Sequence, residues 1–389
     1  VGVPALLGLL SSAEPGGRWP GRLGHLGPNW YASVMGTGIV ATAGATLPFR
    51  VPGLAGFALV VWVLSLALLV VLLGATAVQW LRHPAVARSH GWDGSMAQFY
   101  GAPPMALLTV GAGAVLVGRL LIGERAAVDL DWVLWTVGTV TGLLTVTVIP
   151  YRLFTQIEVR PDGAFGGWLM PIVPPMVSAA TGALLVPHVA SPAGRATLLF
   201  GCLALFGLSL VPSLIVITLI WSRLVHHGTS GTARVPTLWI VLGPLGQSVT
   251  AAGLLGLNAH LALHGARATA VADFGLLYGV PVWGFAVLWT ALASSLTVRT
   301  ARRRLPFALT WWSFTFPVGT FVTGTTRLAL QTGLPAFRYA AGAAYVGLLA
   351  AWVTVAVRTA VGSARGELLV ASSAVSAPPA RKGDLAPVA

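Results

Sequence analysis

The chain has 389 residues, 56% of them hydrophobic and 8% charged, with a formal net charge of +13. A soluble domain carries roughly 25% charged residues, so this composition excludes a soluble enzyme or a string of soluble binding modules. The pI near 11.4 does not point to nucleic acid, because the basic residues are scattered between apolar runs rather than gathered on one module.

Residues 1–12 are apolar but no basic residue precedes them. Glu14, Arg18 and Arg22 follow in place of a clear cleavage site, so this stretch is not read as a signal peptide. Ten apolar spans are then predicted, at 29–47, 54–80, 101–122, 130–150, 167–187, 196–221, 236–259, 271–297, 307–328 and 338–361. Each is long enough to cross a hydrocarbon core of about 30 Å. They are too long and too continuously apolar for barrel strands of about 10 residues, so the expected class is an all-α integral membrane protein. The division expected is a cytoplasmic N-terminal segment at 1–28, a ten-helix transmembrane domain at 29–361 and a disordered cytoplasmic tail at 362–389, rich in Ala, Ser, Pro and Val.

Arginine and lysine separate into two sets along this span order. One side holds 16: Arg18, Arg22, Arg82, Arg88, Arg152, Arg160, Arg223, Arg234, Arg299, Arg302, Arg303, Arg304, Arg358, Arg365, Arg381 and Lys382. The other holds 7: Arg50, Arg119, Arg125, Arg195, Arg267, Arg327 and Arg338. The positive-inside rule puts both termini in the cytoplasm, as an even number of spans requires.

An internal repeat underlies the spans. The odd-numbered ones carry Val34-Met35-Gly36, Pro104-Met105-Ala106, Pro175-Met176-Val177, Pro244-Leu245-Gly246 and Pro317-Val318-Gly319, whose first positions are 70, 71, 69 and 73 residues apart. Each interval is one helical hairpin, and every odd span runs the same way. Proline in mid-span kinks a helix and frees a carbonyl, which a membrane tolerates beside other helices or a water-filled cavity. Five kinked odd helices backed by five smoother even ones suggest an inner ring around a central path. Proline and glycine are also simply common in membrane helices.

Three residues after the first tripeptide position stand Thr37, Leu107, Ser178, Gln247 and Thr320. Four of these five hydrogen-bond without charge and suit the partial replacement of an ion's hydration shell. Packing between helices is the other reading of such residues. The candidate lining is Gly36, Thr37, Gly38, Pro104, Pro175, Ser178, Gly243, Pro244, Gln247, Pro317 and Thr320. One residue before each tripeptide stand Ser33, Pro103, Pro174, Gly243 and Phe316, so Phe316 alone is bulky enough to plug a shared axis as a hydrophobic gate.

No Asp or Glu is expected in the middle of a span, which leans toward a channel or facilitator over a proton- or sodium-coupled carrier. Arg327 lies ten residues beyond Pro317, roughly 15 Å along a helix. There it either raises the local anion concentration near the outer mouth or snorkels to the interface. His260 and His264 stand i, i+4 without a third ligand and read as interfacial, so no metal site is expected. Cys202 is the single cysteine, which excludes an internal disulfide or a cysteine metal cluster. No nucleophile–base pair or phosphate-cradling loop is present, and neither enzyme activity nor a cofactor is read.

Several of these segments together resemble the tellurite-resistance/dicarboxylate transporter family. They are Pro28-Asn29-Trp30 with Val34-Met35-Gly36-Thr37-Gly38-Ile39-Val40, Arg82-His83-Pro84, Phe99-Tyr100-Gly101 through Pro104-Met105, Gly243-Pro244-Leu245-Gly246-Gln247 and Trp311-Trp312-Ser313-Phe314-Thr315-Phe316-Pro317. That family includes bacterial tellurite-resistance membrane proteins, fungal malate permeases, sulfite efflux pumps and plant slow-type anion channels. The resemblance implies five helical hairpins around one pore per protomer, a homotrimer in the plasma membrane, and a ninth-helix phenylalanine, here Phe316, that occludes the pore. It implies a small inorganic or organic anion as cargo, without choosing among malate, sulfite, tellurite, chloride and nitrate. Pro103-Pro104-Met105-Ala106 departs from the pattern, in which glycine follows the methionine.

Overall fold

The computed structural model describes residues 26–229, 231–366 and 368. Most of the expected N-terminal segment and of the C-terminal tail, with Arg18, Arg22, Arg381 and Lys382, lies outside the described residues. Among the described residues the chain is all-helical. The longer helices are α1 Tyr31–Thr46, α2 Leu54–Arg82, α3 Ala102–Gly113, α4 Glu124–Thr155, α5 Pro174–Leu185, α6 Pro192–His227, α7 Leu242–Ala262, α8 Ala266–Ala301, α9 Phe316–Thr332 and α10 Pro335–Ala364.

Seven helical stretches are long and apolar enough to cross a membrane: the even-numbered helices, Ala97–Ile122 around α3, and Thr232–Ala262 around α7. The other three are shorter, α1 with 16 residues, α5 with 12 and α9 with 17. The cause is local. Each odd helix is preceded by a 3₁₀ stretch, at Pro28–Trp30, Ala97–Gly101, Gly166–Leu169, Thr232–Val241 and Leu309–Phe314. The α-helix begins only as the repeated tripeptide is reached. Pro103, Pro174 and Pro317 therefore occupy first-turn positions, where a missing N–H costs nothing. The expected mid-helix kinks are thus breaks, with the proline starting a new helix.

Burial divides the helices. In their apolar windows the five even helices are 22–33% buried, whereas the stretches around α3 and α7 are 67% and 89% buried. The outer faces expose residues such as Val60, Val133, Leu144, Ile215, Leu288 and Val353, an apolar exterior suited to lipid. The odd helices pack in cyclic order: α1 on α3, α3 on α5, α5 on α7, α7 on α9, and α9 back on α1. Each also packs on the even helix that follows it. Close approach depends on small residues. A Cβ on Gly246 of α7 would sit 2.4 Å from the Thr320 carbonyl carbon of α9. The turn between α3 and α4 is as tight as the chain allows, since one residue, Gly123 at φ +80°, separates Arg119–Ile122 from α4.

Each even helix reaches inward with a side-chain donor for a backbone carbonyl of the buried set. Trp62 Nε1 donates to Val110 O (3.0 Å), Trp135 Nε1 to Ser178 O (2.9 Å) and Ser209 Oγ to Ile172 O (2.8 Å). Trp289 Nε1 donates to Leu238 O (2.9 Å) and the Tyr345 hydroxyl to Val40 O (3.2 Å). Trp62 lies over Gly113 and Gly118, flanking the π-turn Ala114–Gly118 that interrupts the helix after α3.

The loops collect at two ends. Arg152 stacks over Trp92 and donates to Gly91 O, Arg234 lies over Phe165 and donates to Ser95 Oγ, and Arg358 lies over Trp311. At the opposite end Arg338 lies over Phe49.

Candidate functional site

The five buried helices enclose a cavity of about 410 Å³. Its lining follows one face of each helix: Thr250, Leu254 and Leu257 on α7 and Thr323, Arg327 and Leu330 on α9 both run i, i+4, i+7. Ile39 and Thr42 enter from α1, Thr109 and Ala112 from α3, and Val177, Ala180, Thr181 and Leu184 from α5. One end is open, where Leu257 and Leu330 are 50% and 55% exposed. At the other, Phe316 is 2% exposed and forms the floor. It is the first residue of α9 and lies two turns below Thr323 on the same face. Gly243 occupies the equivalent position on α7, and a Cβ there would meet nothing within 4 Å. The ring therefore stands at a level where α7 contributes no bulk.

The polar groups form a short staircase. Arg327 is uppermost. One turn below it, the Thr323 and Thr250 hydroxyls meet at 2.8 Å and tie α9 to α7. Gln247 is a further turn down α7, 6% exposed and facing the cavity. Gln247 Oε1 and Arg327 Nε are both buried without a hydrogen-bond partner among the described residues. Arg327 is half-buried, and the ion pair found among the described residues is elsewhere, between Arg160 and Asp162. An arginine with neither a carboxylate nor a carbonyl partner, opening into a mostly apolar cavity, is a counter-charge for something brought in.

The threonines are the polar feature that the sequence analysis passed over. Each helix of the set contributes at least one: Thr42 and Thr46 from α1, then Thr109, Thr181, Thr250 and Thr323. Thr42 donates to Ile39 O, Thr46 to Thr42 O, Thr109 to Met105 O and Thr181 to Val177 O, while of Thr250 and Thr323 one donates to the carbonyl of its own helix (Gly246 O or Thr320 O) and the other to its partner hydroxyl. The signal was legible, because Thr181, Thr250 and Thr323 each stand six residues after Pro175, Pro244 and Pro317.

Of the sequence candidates, the cavity brings together Phe316, Gln247 and Arg327. Three predicted lining hydroxyls turn elsewhere. Thr37 Oγ1 accepts from Trp352 Nε1 of α10 (3.1 Å), Ser178 Oγ accepts from Thr139 of α4 (2.9 Å), and Thr320 Oγ1 donates to Leu242 O of α7 (2.9 Å). Gly36 and Gly38 face Trp312 and Thr109 and serve close packing. Pro104 packs toward Gly138 of α4. Pro175, Pro244 and Pro317 are buried in first turns outside the cavity wall. Hydrogen bonding to the neighbouring helix, not the register of the repeat, decides which way each of these side chains faces.

The fourth span carries one buried acidic residue near its start. The fourth helix begins at Glu124, six residues before its predicted start at 130, which places Asp131 two turns inside it. Asp131 is fully buried against Gly111 of α3, and neither carboxyl oxygen has a partner among the described residues. It lies behind the cavity wall, because Thr109 and Ala112 of the same stretch of α3 line the cavity itself. His260 is in the last turn of α7 and His264 beyond its end, so one helix face does not carry both.

Comparison with known proteins places this architecture. The family described as SLAC1, voltage-dependent anion channel, matches residues 25–360. The chain is 26% identical over 355 residues to a sulfite efflux pump of Trichophyton rubrum, covering 88% of this chain and 92% of that protein. It is 23% identical over 342 residues to an uncharacterized transporter of Methanocaldococcus jannaschii (87% and 95% covered). It is 22% identical over 332 residues to the malic acid transport protein of Schizosaccharomyces pombe (82% and 74% covered).

Proposed function

The chain belongs to the voltage-dependent anion channel family, a family of membrane anion transporters and channels, and we propose that it is a facilitator for small anions gated by Phe316. The cargo is a C4-dicarboxylate such as malate or a sulfite or tellurite oxyanion. One observation carries the reading: a single cavity is lined by all five buried helices, closed at one end by Phe316 and holding an unpaired Arg327 toward the other. A hydrophobic ring excludes water and ions, and a cation near the mouth concentrates anions.

In this reading α1, α5 and α9 also cross the membrane, each completed by its 3₁₀ lead-in, to give ten spans in five hairpins about a pore. The charge asymmetry supports cytoplasmic termini. The plasma membrane and a homotrimer are carried over from the family resemblance. The relatives named for sulfite efflux and malic acid transport support the two cargo classes. A flux panel of malate, sulfite, chloride and nitrate in proteoliposomes tests the proposal, and absence of flux for all four overturns it.

A second reading, an ion-coupled anion exporter, is favoured by one observation, the buried and unpartnered Asp131 behind the cavity wall. Reversal potentials measured across a pH gradient separate the two, since currents indifferent to the gradient sink the coupled version.

A further inference from the structure

We infer that the cavity is a binding site for one singly charged oxyanion, selected against dianions by Arg327 as sole counter-charge with the Gln247 amide as second donor. The inference rests on the anion-transport reading of the same cavity and names its substrate class. Size does not decide it. A cavity of about 410 Å³ has room for sulfite and malate alike.

Charge decides. Among the lining residues Arg327 alone is ionised, and most of the rest are Ala, Val, Ile and Leu. The threonine protons are already engaged, by backbone carbonyls or, between Thr250 and Thr323, by the partner hydroxyl. The guanidinium has its Nε unpartnered, and the Gln247 amide, whose Oε1 is buried without a partner among the described residues, is free to turn its N–H toward an oxyanion; both stand on the staircase between mouth and gate. Helical side chains lean toward their own N-terminus, so Arg327 leans from its place on α9 toward Phe316, into the volume that Gln247 borders. The planar guanidinium matches the paired oxygens of an oxyanion. A monoanion is neutralised there. A dianion leaves one charge uncompensated against an apolar wall, where water is scarce and the cost of an unpaired charge is high. The class is therefore hydrogensulfite, hydrogenmalate or nitrate, and not sulfite or malate dianion.

The test is calorimetric titration of the purified full chain with nitrate, a monoanion at every pH used, and with sulfite at pH values on either side of the hydrogensulfite–sulfite equilibrium. The nitrate Kd is expected to stay constant. The apparent Kd for total sulfite should rise about tenfold per pH unit once the dianion predominates, following the loss of monoanion. Arg327→Gln should weaken both anions about tenfold or more, and Arg327→Lys should retain most of the binding because it retains the charge. Sulfite binding equally tight at alkaline pH, no binding of either anion, or unchanged binding in Arg327→Gln overturns the inference. Flux of the same ions into proteoliposomes is read separately. Charge-selective binding without flux overturns the transport reading and leaves the site standing, whereas flux without charge-selective binding overturns the site.

Discussion

Replacing Phe316 by alanine tests the gate directly. The ring is 2% exposed and closes the cavity floor. Its counterparts in the repeat are Ser33, Pro103, Pro174 and Gly243, and open space lies before Gly243. Truncation therefore removes six ring carbons at a level with no other large side chain among those counterparts. At about 30 Å³ per water, the vacated space takes roughly three waters. A hydrogen bond to a charged group contributes about 1.5–3 kcal/mol, so restoring one such bond to an anion at this level lowers the barrier enough for an increase of about 10- to 100-fold. A fully packed Phe→Ala change costs about 3–5 kcal/mol of stability. The lower end is expected here, because part of the ring borders the cavity rather than packed atoms. Anion current in planar bilayers is the assay, with Phe316→Leu as the apolar control that stays near the wild-type level. A monodisperse Phe316→Ala protein with wild-type conductance would refute the gate.

Three further outcomes follow from the packing. Gly246→Leu drives a side chain into the α9 backbone at Thr320, 2.4 Å from where its Cβ would stand, and should cost more than about 3 kcal/mol, seen as loss of the monodisperse peak. Trp289→Phe leaves the Leu238 carbonyl without its indole donor and should cost about 1–3 kcal/mol by thermal melting, with flux per folded protein unchanged. Thr37→Val removes only an acceptor for Trp352 and should leave the order of anion fluxes as it is, whereas Thr250→Val, on the cavity wall, should change it; the reverse result would put Thr37 on the path.

The division into buried and lipid-facing helices was legible because hydropathy and a near-70-residue period both survive in the chain. The tripeptides mark where five α-helices start, but whether a proline kinks a helix or begins one depends on the residues before it. At 309–314 and 232–241 the chain takes a 3₁₀ path that no apolar count reveals. Phe316 and Arg327 are readable as departures from repeat symmetry, and Gln247 as one of the hydrogen-bonding residues that the repeat sets three positions after the start of each tripeptide. Thr37, Ser178 and Thr320 were misplaced because facing is set by bonds to residues far away in sequence, Trp352, Thr139 and Leu242. How deep Asp131 sits in its helix is not legible for a simpler reason. The six-residue prelude 124–129, with Glu124, Arg125 and Asp129, reads as a loop, yet it is already helix.

Side-chain donors from the outer helices help hold a ring of broken helices to a defined path. A helix that restarts at a proline leaves carbonyls that its own backbone does not serve, and in lipid no water replaces the lost donor. Ile172 is the clearest case. The residue three positions on is Pro175, which has no N–H, and Ser209 of α6 donates instead. Trp62, Trp135, Trp289 and Tyr345 play a supporting part, adding a donor to the carbonyls of Val110, Ser178, Leu238 and Val40, of which Val110 O also accepts from Ala114 N of its own helix. An indole suits it, since it buries a large apolar body among lipid-facing residues and ends in a single directed donor. The outer helices thus do more than shield the inner ones from lipid: they fasten the inner backbone by side-chain donors and, through Ser209, serve the carbonyl left open ahead of Pro175.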